Sequence, residues 1–296
     1  MQIDPRRAEA FLAAVDSGSL EQAATLLHVT PSAISQRIAA LEQEMGTPLL
    51  VRSRPCRPTG PGTRLLQFLR RRALLDAEFA AERDDPAAPI RLSLAVNNDT
   101  LATWLLPVLA PLLIEQQLLV EFVLDNQGHT FSLLEQGRAV ACVSTEAEPM
   151  RGCSASYLGL MRYTMVATPV FARRWFPKGL ERDAARHAPV MVFDRKDALQ
   201  TQFLQEQLGL SEGAFPFHYV PSSEGFAQSI RLGMGYGMLP MEQCGALLET
   251  GELLDLAPGV VLDVPLYWHA WRVQPARVER MGKALVAAAR GVLRAA

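Results

Sequence analysis

The net charge of −2 on this 296-residue chain hides two unlike parts: residues 1–72 hold ten basic and six acidic side chains, a net of +4, and the remainder holds 19 and 25, a net of −6. A basic head on an acidic body is the pattern expected when one end of a protein meets phosphate. At this length two or three domains are expected, each with its own core. No apolar run is long enough to span a bilayer, and Met1–Arg7 lacks the hydrophobic stretch of a signal peptide, so a membrane span is excluded and the expected compartment is the cytoplasm.

In chain order, the first informative segment is 17–50. Ser19 suits a helix N-cap, and Leu20, Ala23, Ala24 and Leu27 recur at helical spacing, the adjacent alanines permitting close helix approach. His28 sits where the chain must leave that helix, often through a left-handed residue. Thr30 is placed to cap a second helix with Pro31 in its first turn. Ile34, Ile38 and Leu41 fall on one side of it, Ser32, Ser35, Gln36 and Ala39 on the other, with Arg37 on the flank. Small donors and acceptors permit close approach to base edges and phosphates in a major groove, where an ordinary solvated helix carries Glu and Lys. This is a helix-turn-helix pattern. Thr30, Ser32, Ser35, Gln36 and Arg37 are its candidate DNA-contacting residues.

Gly46 ends the second helix, and Pro48-Leu49-Leu50-Val51-Arg52 reads as a short strand. Arg52, Arg54 and Arg57 follow among Pro55 and Pro58, without an acid before Thr59, which is placed to cap a further helix. This is a basic wing, and Arg52 and Arg54 join the candidate DNA contacts. From Thr63 to Glu82 one long helix is expected, with apolar stripes Leu65, Phe68, Leu75, Phe79 and Leu66, Leu69, Ala73, Ala77. Two stripes call for a second partner; packing within one chain is the alternative. Asp84-Asp85-Pro86-Ala87-Ala88-Pro89 breaks all periodicity and is taken as a hinge.

The rest alternates strands with helices. Strands are expected at Ile90–Val96, Leu119–Leu124, Ala139–Val143, Tyr163–Ala167, Val190–Phe193, Tyr219-Val220, Met238-Leu239 and Val264–Trp271, with a final helix from Pro275. Two crossings between strand groups suggest two α/β lobes with a cleft between them. Such clefts take small molecules where loops leave the strand ends. The loops offer Asn97, Asp99 and Thr100, then Ser144, Thr168, Asp194, Ser223 and Glu224. An α-amino acid needs an anion niche and acceptors for its ammonium, and a basic side chain needs a further carboxylate. Each of Asp99, Asp194 and Glu224 either caps a helix or turn or faces the ligand, and at least one is expected to face it.

Catalytic patterns are missing. There is no G-x-S-x-G elbow, no H-E-x-x-H and no G-x-x-x-x-G-K, and His28, His129, His187, His218 and His269 lack metal-ligand spacing. Gly233-Met234-Gly235-Tyr236-Gly237 precedes a strand where a dinucleotide loop would follow one. Neither enzyme activity, catalytic residue, metal nor cofactor is expected. Cys56, Cys142, Cys153 and Cys244 form no C-x-x-C pair, and free thiols are expected.

Taken together the chain resembles a LysR-type transcriptional regulator, in Phe11, Ser17-Gly18-Ser19, Ala23-Ala24, Val29-Thr30, Ser32-Ala33-Ile34-Ser35, Ile38, Leu41-Glu42, Gly46, Pro48-Leu49 and Thr59. It resembles most the arginine- and lysine-responsive regulators of basic amino-acid export (ArgP-type, LysG-type). The matching stretches are Pro48-Leu49-Leu50-Val51-Arg52, Ser93-Leu94-Ala95-Val96-Asn97, Leu101-Ala102-Thr103-Trp104-Leu105-Leu106-Pro107, Ser222-Ser223-Glu224 and Leu266-Tyr267-Trp268-His269. Gly60-Pro61 departs from the family's acidic-plus-small pair and leaves the start of the following helix open, and Gln127-Gly128-His129 is not distinctive.

The resemblance implies a winged helix-turn-helix at 1–62, a dimerising linker helix at 63–83, a hinge at 84–89 and an effector domain at 90–296. That domain would be an α/β, two-lobed, periplasmic-binding-protein-like (type 2) fold, with lobe I at about 90–165 and 266–296 and lobe II at about 166–265. The implied partners are double-stranded DNA at an interrupted palindromic promoter site and a small effector, lysine or arginine first, with RNA polymerase a further candidate. The implied assembly is a homodimer or homotetramer controlling an amino-acid exporter gene. The alternatives are a sequence-tolerant architectural DNA binder, of the kind that inhibits chromosome initiation, and a regulator of a different metabolite.

Overall fold

The computed structural model describes residues 3–83, 89–126 and 128–295. Most of the expected hinge, residues 84–88, and Gln127 lie outside the described residues. The head opens with α1 (Pro5–Ser17), α2 (Leu20–Leu26) and α3 (Pro31–Met45). Their termini follow the sequence. The Ser19 hydroxyl accepts the Gln22 amide at 3.3 Å and Thr30 accepts that of Ala33 at 3.2 Å. His28 is left-handed at φ +53°, and Gly46 closes α3 at φ +66°. Ile34, Ile38 and Leu41 are buried against Phe11, Ala14, Ala23 and Ala24, and this apolar seam holds α1, α2 and α3 together.

The wing is a two-stranded antiparallel ribbon, β1 (Leu50–Val51) and β2 (Arg57–Pro58). The long helix α4 runs Gly60–Arg83, three residues earlier than expected. Thr59 accounts for the difference: its hydroxyl accepts the Gly62 amide at 3.1 Å and donates to the Pro48 carbonyl at 2.7 Å, so the cap sits directly before Gly60. Gly62 is required there, because a Cβ would lie 2.0 Å from the Leu49 carbonyl oxygen. Along α4, Leu65, Leu66 and Leu69 join the head core, whereas Leu74 and Ala77 pack on the body. Phe68, Leu75 and Phe79 stay exposed, at 45%, 39% and 66%. Packing within one chain therefore covers Leu65, Leu66, Leu69 and Ala77 and leaves Phe68, Leu75 and Phe79 uncovered.

The body starts with β3 (Ile90–Val96), then α5 (Asn98–Thr100), a π-helical turn (Leu101–Leu105) and α6 (Leu106–Gln116). β4 (Leu118–Leu124), α7 (Thr130–Glu135) and β5 (Ala141–Ser144) follow. β3 pairs in parallel with both β4 and β5. Next come β6 (Cys153–Ala167), α8 (Pro169–Trp175), α9 (Arg182–Ala185), β7 (Val190–Val192), α10 (Leu199–Leu208) and β8 (Phe217–Tyr219). The chain continues through α11 (Ser223–Arg231), β9 (Gly237–Pro240), α12 (Met241–Glu249), β10 (Leu254–Asp255), β11 (Leu262–Trp271) and α13 (Ala276–Val292).

The main sheet is mixed, ordered β10-β6-β11-β5-β3-β4, with β9 also on β6, and β7 and β8 form a small parallel pair. β6 begins ten residues before the expected strand. Its first half pairs only with β11, and its second half also takes β9 and β10. Gly159 breaks the alternation there: it lies at φ +147°, opposite a register shift at Leu266/Tyr267, where a Cβ would sit 2.6 Å from that of Leu293. The short β10 carried no apolar run to announce it. Among the described residues no helix is long and apolar enough to cross a membrane.

Candidate DNA-binding surface and effector cleft

Two regions carry the residues that sequence singles out. On α3, Ser32 and Gln36 are exposed and Ser35 and Arg37 are half-buried, on faces turned away from Ile34 and Ile38. Thr30 is engaged as the N-cap. The wing is tied to α3 through Glu42, which the sequence marked only as part of the family resemblance. One carboxylate oxygen accepts the amides of Leu49 and Leu50 at 2.8 and 3.1 Å, and the other lies 3.7 Å from the Arg52 guanidinium. Arg52 also reaches the Ser35 hydroxyl at 3.5 Å, placing a wing arginine beside the polar face of α3. Arg54 is 92% exposed and meets Glu21 at 3.4 Å. Exposed pairs of this kind contribute little and exchange readily for phosphate.

In the body a cleft opens between the loop after β3 and the segment around β7, α10 and β9. Asn97, Asn98, Asp99 and Asn126 line one side; Phe193, Asp197, Gln200 and Phe226 line the other, with Tyr163 of β6 between them. No lysine or arginine is among the described lining residues.

Asp99 is the electrostatic focus. Tyr163 donates to it at 2.9 Å and the Ser223 hydroxyl donates as well. Burial nevertheless raises its carboxyl above the ordinary aspartate range, and nearby Asp197 adds to the effect. Burial likewise raises Asp197, although its oxygens accept the Phe193 and Leu199 amides at 3.1 and 2.9 Å. Glu242 at the start of α12 is raised by burial too, with Asp99 adding repulsion. Tyr163 is pushed well above the ordinary phenol range by burial and by Asp99, so it stays a donor.

The predicted effector residues divide accordingly. Asn97 and Asp99 line the cleft, and Ser223, buried, borders it through Asp99 and accepts from Gln243 at 2.9 Å. Thr100 is buried next to it, and its hydroxyl has no hydrogen-bond partner. The other four do not line the cleft, and each has a local reason. Ser144 accepts the Glu146 amide at 3.1 Å, and Thr168 caps α8 through the Phe171 amide at 3.2 Å. Glu224 is exposed in the first turn of α11, where its charge suits the helix dipole. Asp194 organises its own turn, accepting the Lys196 and Asp197 amides at 2.7 and 3.1 Å. The acid that does enter from that loop is Asp197, three residues on. Tyr163, Gln200, Phe193 and Phe226 were also missed: each lies inside a strand or helix or at its edge, where an apolar pattern conceals a cleft-facing role.

No group of three or more His, Cys, Asp or Glu among the described residues is placed to hold a metal. All four cysteines are free, and burial raises the thiols of Cys153 and Cys244 to about 11 and about 12, leaving them protonated.

Comparison with known proteins places these two regions in context. The family description "Bacterial regulatory helix-turn-helix protein, lysR family" matches residues 5–63. The HTH-type transcriptional regulator ArgP of Aeromonas salmonicida is 40% identical over 283 residues, covering 95% of each chain. The crystal structure of ArgP from Mycobacterium tuberculosis superposes with a TM-score of 0.83 at 36% identity, covering 100% of both chains. Full-length LysG from Corynebacterium glutamicum with bound effector Arg gives 0.78 at 35% identity, covering 98% of this chain and 99% of its own.

Proposed function

Because the chain belongs to the LysR family of helix-turn-helix transcriptional regulators, we propose that its cleft senses a basic amino acid, arginine or lysine, and that the head then controls an amino-acid exporter gene. The chain is a DNA-binding regulator and not an enzyme. The single observation that carries the effector reading is the pair Asp99 and Asp197: two desolvated carboxyls lining a cleft with no cation among its described lining residues. A partly desolvated carboxylate gains from an opposite charge, so the pair favours a cationic ligand. LysG, which is similar over nearly its whole length, carries arginine as its effector.

The assignment of parts belongs to the same proposal: head 1–62, linker helix 63–83, hinge 84–89 and effector domain 90–296, with the two lobes divided near 165 and 266. Ser32, Ser35, Gln36 and Arg37 contact bases and phosphates, Thr30 orients α3, and Arg52 and Arg54 hold the backbone. Asn97, Asp99, Thr100 and Ser223 form the effector side, joined by Asp197 and Tyr163. The exposed Phe68, Leu75 and Phe79 form a contact with a second copy, giving a dimer able to span an interrupted palindrome.

Calorimetric titration of the full chain with arginine, lysine and leucine, followed by footprinting upstream of an exporter gene, tests this. Binding of a basic amino acid that alters a confined footprint supports it. Salt-sensitive binding to any duplex, unaltered by either amino acid, would establish the architectural alternative instead.

A further inference from the structure

We infer that Arg70 of α4 is the positioning residue through which the state of the cleft reaches the DNA-binding head. The inference rests on the reading of the cleft as an effector site. Its starting point is a clasp between the two sides of the cleft. The Asp125 carboxylate meets Lys196 at 3.0 Å, and the Asn126 side-chain amide donates to Asp194 at 2.9 Å. Asp125 and Asn126 follow β4 directly and Asp194 and Lys196 follow β7, so both contacts join segments far apart in sequence. Asn126 also lines the cleft itself. Any change in the separation of the two sides therefore acts on residues 125 and 126.

From there the path is short. The His129 amide donates to the Asn126 carbonyl at 2.8 Å, and α7 begins at the next residue, its Thr130 hydroxyl donating to Val143 of β5 at 2.8 Å. At the far end of α7 two carbonyls are taken by α4: Gln67 donates to Glu135 at 2.6 Å, and Arg70 donates to Gly137. The approach is close enough to demand glycine, since a Cβ at Gly137 would lie 3.0 Å from Gln67 Cγ and the residue sits at φ +68°. Arg70 then uses its other terminal nitrogen on Asp16, in the last turn of α1. α1 shares one core with α3 through Phe11, Ala14, Ile34 and Ile38. One guanidinium thus touches the effector body and the head at once.

Lysine has a single ammonium and does not reproduce this fork. The function separates Arg70 from a merely structural contact, because coupling between two sites is reciprocal: whatever factor arginine exerts on DNA affinity, DNA exerts on arginine affinity.

The test uses the full chain, free arginine as the ligand, and a duplex recovered by the chain from a random-sequence pool. Arginine affinity is measured with and without the duplex. For the unaltered chain the two Kd values are expected to differ at least about fivefold, the low end of ordinary coupling. In Arg70→Gln the ratio collapses to within about twofold of one, while the Kd without DNA and the melting temperature stay put; Asp16→Asn does the same, and Arg70→Lys falls between. An unchanged ratio in Arg70→Gln and Asp16→Asn overturns the inference, as does loss of arginine binding by Arg70→Gln in the absence of DNA, which marks a role inside the body. If the unaltered chain binds neither arginine nor lysine, the effector reading fails separately. The tie is then judged by ligand-free DNA bending, where a bend angle identical in all three variants and the unaltered chain overturns it.

Discussion

The phenol of Tyr163, in the middle of β6, donates a hydrogen bond of 2.9 Å to the carboxylate of Asp99 at the edge of the cleft. It joins a residue on the strand shared by both sides of the cleft to one of the two half-buried acids that line it. With the Ser223 hydroxyl on the same carboxylate and Gln243 behind Ser223, the acid is oriented from two directions. A preoriented carboxylate loses little freedom when a cation arrives.

Asp99→Asn removes the charge and keeps the shape. Arginine affinity is expected to fall about 10- to 150-fold, corresponding to about 1.5–3 kcal/mol for a hydrogen bond to a charged group. The apo chain is expected to keep its melting temperature at neutral pH, because the amide keeps an oxygen for Tyr163 and removes a half-buried charge. Calorimetry and thermal melting of the same variant check both halves; unchanged arginine affinity would remove Asp99 from the binding site.

Acidity should weaken the effector. Burial raises the Asp99 and Asp197 carboxyls above their ordinary value of 3.8, so between 3.8 and their folded values the ligand-free cleft holds protons that a cation must displace. Glu242 faces Asp99 with the same sign of shift, and Tyr163 stays protonated throughout. Arginine affinity therefore rises with pH until these groups are ionised, and binding below that point releases protons. Folding stability runs the other way. A carboxyl raised in the folded state favours folding fully below 3.8, and that contribution is lost as pH climbs through the folded value. Titrations from just above the ordinary carboxyl value of 3.8 up to neutral pH, in buffers of different ionisation heat, read the proton count; a flat affinity with no proton release over that whole range would contradict this.

On the DNA side, Arg54→Ala and Gln36→Ala should differ in kind. Arg54 is almost wholly exposed on the wing and is expected to hold phosphate. Its loss weakens all duplexes alike and lowers the slope of log K against log salt by about 0.9. Gln36, exposed on α3, is expected to read a base edge, so its loss should cost about 1–3 kcal/mol on the preferred site and little elsewhere. Binding isotherms at several salt concentrations on preferred and scrambled duplexes separate the two patterns, and identical behaviour of the variants would refute the assignment.

Gly62→Ala places a methyl group 2.0 Å from the Leu49 carbonyl oxygen. The wing and the start of α4 must separate to admit it, a clash of the sort that costs about 1–3 kcal/mol or more. A lowered melting transition of the head with weakened DNA binding is expected. A melting temperature within a degree of the unaltered chain would show that this junction yields.

Phe79→Glu tests the uncovered stripe on α4, where Phe79 is 66% exposed. A charge in an apolar contact between copies shifts the sedimenting species towards monomer and weakens DNA binding cooperatively, without lowering stability of the isolated chain. An unchanged mass would place the dimer contact elsewhere.

The head was legible because its signals are local. Caps at Ser19 and Thr30, a left-handed exit at His28 and an inward seam at Ile34 and Ile38 each depend on neighbours within a turn or two. The cleft was legible only in part, because its walls come from residues distant in sequence. Asp99 stood out as an acid at a strand end, yet Asp194 looked equivalent and proved to hold a turn, leaving Asp197 to face inward. Tyr163 and Gln200 carried no local mark, since nothing in an apolar strand or an ordinary helix says which polar side chain will look into a gap. β6 was found only in its second half, because Gly159 and the bulge opposite it interrupt the period on which strand recognition depends.

Glu42 bears on evolution as well as on mechanics. By grasping the backbone of Leu49 and Leu50 while standing on α3, it fastens the reading helix to the ribbon beside it, independently of which side chains either presents. Under the proposed DNA contacts, substitutions at Ser32 or Gln36 would therefore retune which sequence is read without disturbing how the two pieces are aligned. The joint holds through main-chain amides, so the geometry of the head does not depend on the side chains it offers to a duplex.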